Sequence, residues 1–347
     1  MSMYERFLAE LTRKPWVILP SKLDEIQALI ALRLGGDKAE AATLERFRAA
    51  RDEQAATLAA ARAQATRGSV ALIPVYGAIG YRMNMMMYYS GGTSIQQLTA
   101  AFRQAMADPN IGTIVLDIDS PGGSVEGVPE LADEILKARE DKRIIAVSNC
   151  LAASAAYWLA SACSEVVVTP SGEVGSIGVY VLHWDYSGAC EMEGTKPTFI
   201  FAGKHKVDGN PYEPLEEEAR AAMQADVDRY YDMFCAAVAK GRGAKVADVK
   251  AGYGEGRCVG AREAVALGMA DRVASLDQVL GRLGVSMPAP GGARADATEP
   301  TIEAGAAGAL AAPEASDDGP AAQDDVAEQD GGEAERRRRR LRLLELS

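Results

Sequence analysis

A serine set among alanines, Ala152-Ala153-Ser154-Ala155-Ala156-Tyr157, follows a glycine turn, Asp119-Ser120-Pro121-Gly122-Gly123-Ser124-Val125, in this chain of 347 residues. The turn closes an apolar run, and its glycines let backbone N–H groups point into a cleft with no side chain in the way. Such groups are ready donors for the oxyanion of a tetrahedral intermediate, where losing one costs about 2.7–4 kcal/mol of barrier. The small neighbours of Ser154 leave room for a substrate backbone, and Tyr157, Trp158 and Leu159 would anchor the next helix in a core. The combination points to acyl transfer, with peptide-bond hydrolysis foremost. Taken alone, a Pro-Gly-Gly turn is an ordinary strand-to-helix connection, and a serine opening a helix is more often an N-cap than a nucleophile.

A nucleophilic serine needs a base. His183 and His205 are the only histidines, too few to make a Ser-His-Asp triad easy to build. His183 lies in Val181-Leu182-His183-Trp184-Asp185, which reads as a strand and its end. His205 lies in the polar, glycine-flanked segment Gly203-Lys204-His205-Lys206-Val207-Asp208-Gly209-Asn210, which also offers lysine. A lysine acts as a base only when neutral, so burial has to lower its pKa. Exposure is the ordinary state of any single lysine, and composition does not choose between Lys204 and Lys206.

These groups need elements to hold them. Residues from about 68 to 284 alternate strand and helix signals. Ser69-Val70-Ala71-Leu72-Ile73-Pro74-Val75 reads as a strand, and Ser94 as the cap of a helix through Leu98, Phe102 and Met106. Residues 111–118 form a nearly continuous apolar strand of the kind buried on both faces of a parallel sheet. A helix over 128–140, a strand over 143–147, a helix over 154–162 and a strand over 165–168 follow. Repeated units of this length predict an α/β fold with a parallel sheet and right-handed crossovers.

The flanks differ. Residues 1–67 are rich in Ala, Arg and Glu, and Leu44, Phe47, Ala55 and Leu58 draw only a thin apolar stripe. That pattern predicts a helical arm or partner-binding helix outside the core. The apolar stretch 16–34 is broken by Pro20, Lys22, Asp24, Glu25 and Arg33, so it cannot span a bilayer, and no secretory signal is visible. The expectation is a soluble, cytoplasmic protein without a transmembrane anchor. Residues 285–347 are rich in Ala, Gly, Pro, Asp and Glu and predict a disordered acidic tail, ending in a basic leucine-containing segment over 336–346. That end reads either as a solvated tail or as a docking element. The run Met83-Asn84-Met85-Met86-Met87-Tyr88-Tyr89 suits an adaptable substrate surface or an oligomer contact equally well.

Bulk properties narrow the chemistry. A net charge of −12 argues against nucleic acid as the main partner. Cys150, Cys163, Cys190, Cys235 and Cys258 are odd in number and hold no CxxC pair, so incidental thiols in a reducing compartment are expected, with no metal site and no cofactor.

From Val70 to about Leu276 the sequence resembles the signal peptide peptidase A family of Ser-Lys peptidases. The matching pieces are Ile73-Pro74-Val75-Tyr76-Gly77-Ala78-Ile79, Gly91-Gly92-Thr93-Ser94, the 116–125 glycine-turn segment, Ala153-Ser154-Ala155-Ala156-Tyr157, Val174-Gly175-Ser176-Ile177-Gly178-Val179 and Gly203-Lys204-His205-Lys206. Gly256-Arg257-Cys258-Val259-Gly260-Ala261-Arg262-Glu263-Ala264 and Leu267-Gly268-Met269-Ala270-Asp271 also fit. The resemblance implies a ClpP/crotonase-type fold, a parallel-sheet spiral core over 68–284. It makes Ser154 the nucleophile, Lys206 the general base and Ser176 the group that orients the lysine. Gly123 N–H and Ala155 N–H would form the oxyanion hole, with Lys204 the less favoured base.

In that family serine and lysine can come from different subunits, and the single copy of the motifs here implies a homo-oligomer with a dyad shared between neighbours. Residues 203–215 and the segment Lys14-Pro15-Trp16-Val17-Ile18-Leu19-Pro20 look more like the head-maturation proteases of tailed phages. That likeness implies a polypeptide substrate, with phage coat, portal and scaffold proteins as partners, work inside a prohead and a docking role for 336–346. The alternatives are a cytosolic bacterial peptidase of the same family, an inactive scaffolding protein, a ClpP-like peptidase needing a suitably placed histidine, and a crotonase-type acyl-CoA enzyme needing neither Ser154 nor Lys206.

Overall fold

The computed structural model describes residues 15–20, 69–82 and 92–285. The rest of the expected N-terminal arm, the methionine run 83–89 and the acidic tail with its basic end lie outside the described residues.

The order begins with β1 (Trp16–Ile18), β2 (Val70–Tyr76), β3 (Ala78–Gly80), β4 (Gly92–Ser94), α1 (Ile95–Ala107), β5 (Thr113–Ser120), β6 (Gly122–Ser124), α2 (Val128–Ala138) and β7 (Arg143–Ala153). It continues with α3 (Ala155–Ser161), β8 (Glu165–Val168), β9 (Glu173–Gly175), α4 (Ser187–Met192), α5 (Glu217–Arg242), α6 (Val246–Gly252), β10 (Cys258–Gly260), α7 (Ala261–Ala266), β11 (Arg272–Val273) and α8 (Leu276–Arg282). The expected parallel-sheet α/β core is present. A seven-stranded sheet runs β10-β9-β7-β5-β2, with β8 on β7 and β11 on β8, and only the β9–β10 pair is antiparallel. A second sheet of four strands runs β1-β6-β3-β4.

The chain steps from one sheet to the other at glycines. Gly77, at φ 64°, turns β2 into β3, and Gly122, at φ 96°, turns β5 into β6. A β-carbon makes such backbone costly, so glycine is the residue that allows the step. The apolar run of β5 is explained by burial on both faces. Ile114, Leu116 and Ile118 join the main core with α1, α2 and α3, whereas Val115 faces the smaller cluster closed by Val279 and Leu280 of α8. Every residue of α3 is buried, and its Trp158 ring stacks on Phe234 of α5 at 4.5 Å between centroids. Stacking of this kind is worth about 0.5–1.5 kcal/mol beyond the area it buries. Ser94 caps α1 as expected, its hydroxyl accepting from Gln97 N–H.

Two elements differ from the sequence reading. Residues 181–185, expected to form a strand around His183, are irregular; only Tyr180 makes a bridge there, and His183 Nε2 contacts Asn210 O at 3.2 Å. Trp16–Ile18, assigned with the rest of 1–67 to an arm outside the core, is instead a buried strand, with Trp16, Val17 and Ile18 at 5%, 0% and 2% exposure. Pro15 and Pro20 bracket this run, and a short bulky segment bounded by prolines is a strand signal that the helical composition downstream obscured.

Candidate active site

Ser154 stands between the last residue of β7 and the first of α3, the N-cap position. Its backbone is at φ 57°, ψ −119°, unlike the extended backbone of an ordinary N-cap, and its side chain makes no capping bond. The capping explanation for a serine at this place therefore does not hold. A non-glycine residue held in this region costs on the order of 1–3 kcal/mol and marks a surrounding structure that over-determines it. Sharp strand-to-helix turns with a strained residue at the apex are how serine nucleophiles are lifted out of a sheet.

Three neighbours hold the turn. Ser154 N–H donates to Gly175 O at 2.7 Å, and the parallel register sets Ala153 beside Gly175. A β-carbon on Gly122 would lie 2.8 Å from Ser154 Cβ and 3.0 Å from Ala153 O, so only a bare backbone passes there. A β-carbon on Gly123 would meet Ile79 O at 1.8 Å, because β3 packs directly on β6. Both glycines of the turn are thus required by close approach. Ala155 is the first residue of α3, where a helix makes no use of the N–H. The expected donors, Gly123 and Ala155, lie on the two elements that meet at Ser154.

Ser176 follows Gly175, the residue bonded to Ser154. It is buried, has φ 52°, and donates its own N–H to Arg257 O at 2.8 Å. Arg257 O also lies 2.7 Å from where a Gly175 β-carbon would stand. The chain after β9 is therefore pinned against the start of β10. Cys258, paired with Gly175 across the β9–β10 ladder, is the nearby thiol. Burial, with a smaller contribution from Glu173, pushes its pKa up to about 11, so it stays protonated and does not compete as a nucleophile.

Lys206 is not brought to this cluster within one chain. It is exposed, its N–H donates to Gly203 O at 3.0 Å, and among the described residues no hydrogen bond joins its side chain to Ser154 or Ser176. Lys204 is also exposed and is bound to Glu218 at 2.7 and 2.8 Å. His205 Nδ1 meets Asp208 at 2.9 Å. The segment carrying all three follows an exposed apolar stretch, in which Phe199, Ile200 and Phe201 are 36%, 99% and 50% exposed. Among the described residues no group of three or more His, Cys, Asp or Glu side chains could hold a metal ion, and no helix is long and apolar enough to cross a membrane.

The site reading also missed what covers it. Val17 pairs with Gly123 on the antiparallel β1–β6 ladder, and Val17 O lies 2.2 Å from the point a Gly122 β-carbon would occupy. The signal available in the sequence was the bulky run between Pro15 and Pro20; its partner strand was not legible.

The model of peptidase family S49 matches residues 137–286, a span that holds Ser154, Ser176 and Lys206 but not the Gly122-Gly123 corner or β1. Head-tail preconnector protein GP5 of Enterobacteria phage P21 is 41% identical over 186 residues, 54% of this chain and 37% of that protein. Capsid assembly protease C of Escherichia phage lambda is 37% identical over 216 residues, 61% of this chain and 48% of that protein. A putative signal peptide peptidase SppA of Enterococcus faecium is 28% identical over 189 residues, 54% of this chain and 55% of that protein. The chain thus spans less than half the length of the two phage proteins it matches.

Proposed function

We propose, from the match of the peptidase family S49 model to residues 137–286, that this chain is a serine endopeptidase acting through a Ser154–Lys206 dyad. The observation that carries it is Ser154 itself. The residue is buried and strained, its hydroxyl is not spent on capping, and it stands between a glycine corner and a helix start. In the reaction, Lys206 Nζ takes the proton from Ser154 Oγ as the oxygen adds to the substrate carbonyl. The oxyanion accepts hydrogen bonds from Gly123 N–H and Ala155 N–H, each worth about 2.7–4 kcal/mol of barrier. The C–N bond then breaks, the protonated lysine gives its proton to the leaving amine, and water hydrolyses the serine ester by the same route. Ser176 holds the lysine in place.

The exposed position of Lys206 supports a dyad shared between copies. A lysine base has to be desolvated. A second copy covering Phe199, Ile200 and Phe201 would remove water from the adjoining segment and bring Lys206 to its neighbour's Ser154. The names of the relatives, a capsid assembly protease and a head-tail preconnector protein, support work in phage capsid assembly; the substrates this reading assigns are scaffold, coat or portal proteins and the chain itself. That role places it in the host cytoplasm or a prohead.

The test is co-expression with scaffold and coat proteins, read by intact mass for wild type, Ser154→Ala and Lys206→Ala. Cleavage in wild type and in neither variant is expected. Mixing the two variants is expected to restore part of the cleavage, because some neighbours then pair an intact serine with an intact lysine. Cleavage that survives Lys206→Ala moves the base to Lys204 or His205. Cleavage that survives Ser154→Ala refutes the nucleophile.

A further inference from the structure

The catalytic corner carries an occupant. Strand β6 has two edges. One is closed by β3, where Ile79 packs so near that Gly123 has no room for a side chain. The other is taken by β1, antiparallel, with Trp16 opposite Ser124, Val17 opposite Gly123 and Ile18 opposite Gly122. On its far side β1 is held by Tyr180: Trp16 N–H donates to Tyr180 O at 2.8 Å, and Tyr180 N–H donates to Trp16 O at 3.1 Å. Leu19 N–H extends the contact to Pro121 O at 3.0 Å. The slot between β6 and Tyr180 is one strand wide, and β1 fills it.

That slot is also where an extended peptide would have to lie. A substrate carbonyl must reach both Gly123 N–H and Ser154, and the edge of β6 that β1 takes is the line along which a peptide strand can add. The point a Gly122 β-carbon would occupy is 2.2 Å from Val17 O and 2.8 Å from Ser154 Cβ, so the Val17 carbonyl and the serine flank the same glycine of the corner. Val17 is fully buried, which means the segment is seated and not draped over the surface.

We propose that β1 is a built-in pseudosubstrate: Trp16–Ile18 occupies the peptide slot in the resting chain, and a substrate enters only when this strand leaves. The inference rests on Ser154 as the nucleophile. It assigns the slot an extended peptide as ligand, with a branched aliphatic side chain seated at the position of Val17. It also makes displacement of the N-terminal segment the activating event.

The experiment uses the full chain. Val17→Asp places a charge at a fully buried position and expels the strand; Trp16→Ala loosens it and serves as the second variant should Val17→Asp fail to fold by circular dichroism. Two readouts are taken: turnover of fluorescent casein, and binding of a fluorescein-labelled peptide with the sequence of residues 14–20. Turnover at least tenfold above wild type, together with peptide binding by the variant and not by wild type, is expected, and unlabelled peptide should inhibit the released variant. Turnover that falls in a folded variant makes β1 a wall of the site and overturns the proposal. So does a folded variant that fails to bind the peptide. Peptide binding confined to the variants, with no casein turnover in any chain, upholds β1 as the slot's occupant and counts against the peptidase reading instead.

Discussion

The backbone of Ser154 offers a stability test that is independent of any substrate. In a Ser154→Ala background the hydroxyl is gone but φ 57°, ψ −119° must still be adopted by a residue with a β-carbon. Replacing that alanine by glycine removes the conflict. At Ala153, one residue earlier, the alanine is equally buried and ends a regular strand, so the same Ala→Gly change there is the control. The control loses one buried methyl group, worth about 0.8 kcal/mol. It also gains unfolded-state freedom worth about 0.4–1 kcal/mol. Ala153→Gly should therefore destabilise by about 1–2 kcal/mol. At position 154 the same two losses are offset by relief of about 1–3 kcal/mol of backbone strain, so glycine should fall between about 1 kcal/mol destabilising and about 2 kcal/mol stabilising, and in every case cost about 1–3 kcal/mol less than at Ala153. For a domain of this size each kcal/mol moves the melting temperature by about 2–4 °C. Thermal unfolding of Ser154→Ala, Ser154→Gly and Ala153→Gly, with the last measured against wild type, gives both differences. Equal Ala-to-Gly costs at the two positions would refute the strained turn at Ser154 and, with it, the reading that its neighbours hold the serine there for chemistry.

Two further outcomes follow from packing and burial. Gly123→Ala puts a β-carbon 1.8 Å from Ile79 O, a backbone atom that cannot rotate away, so β3 and β6 must separate. A loss of about 1–3 kcal/mol is expected in urea unfolding, and peptide turnover should fall further than stability does, because the displaced N–H is the proposed oxyanion donor. Asp117 in β5 is buried, and burial raises its pKa above the ordinary carboxylate range despite the hydrogen bonds from Tyr76 and Asn149 that lower it. Between the unfolded and the raised folded value the native state holds the proton more tightly, so stability falls as pH rises through that window. Asp117→Asn should match wild type at the acidic end, exceed it near neutrality and flatten the dependence. Urea midpoints measured across that range that run parallel for the two chains would show that Asp117 is not the titrating group.

Much of the site was legible because its signals are local. An apolar run followed by Pro121-Gly122-Gly123, and Ser154 among alanines before a bulky apolar helix start, are short-range patterns, and a strand-turn-helix connection follows from them without knowledge of the rest of the fold. The same holds for Ser94, whose capping of α1 depends only on residues three positions away. The segment around His183 is irregular where its pattern predicts a strand because strand formation needs a partner, and beyond Tyr180 none of the described residues pairs with it.

Sequence alone determined the parallel α/β class, the glycine corner and the serine, since each rests on apolar periodicity or on backbone freedom encoded within a few residues. Tertiary structure alone decided three things. It showed that the Ser154 hydroxyl is not a cap, because its backbone is forced by Gly175 and by the Gly122 close approach. It left Lys206 exposed among the described residues, in a run that is exposed from Phe199 to Lys206, and burial of a lysine is a property its neighbours in space decide. It laid Trp16–Ile18 along β6, a pairing between residues more than a hundred positions apart, and such pairing is chosen by which edge is open once the fold has formed, a property no local pattern encodes.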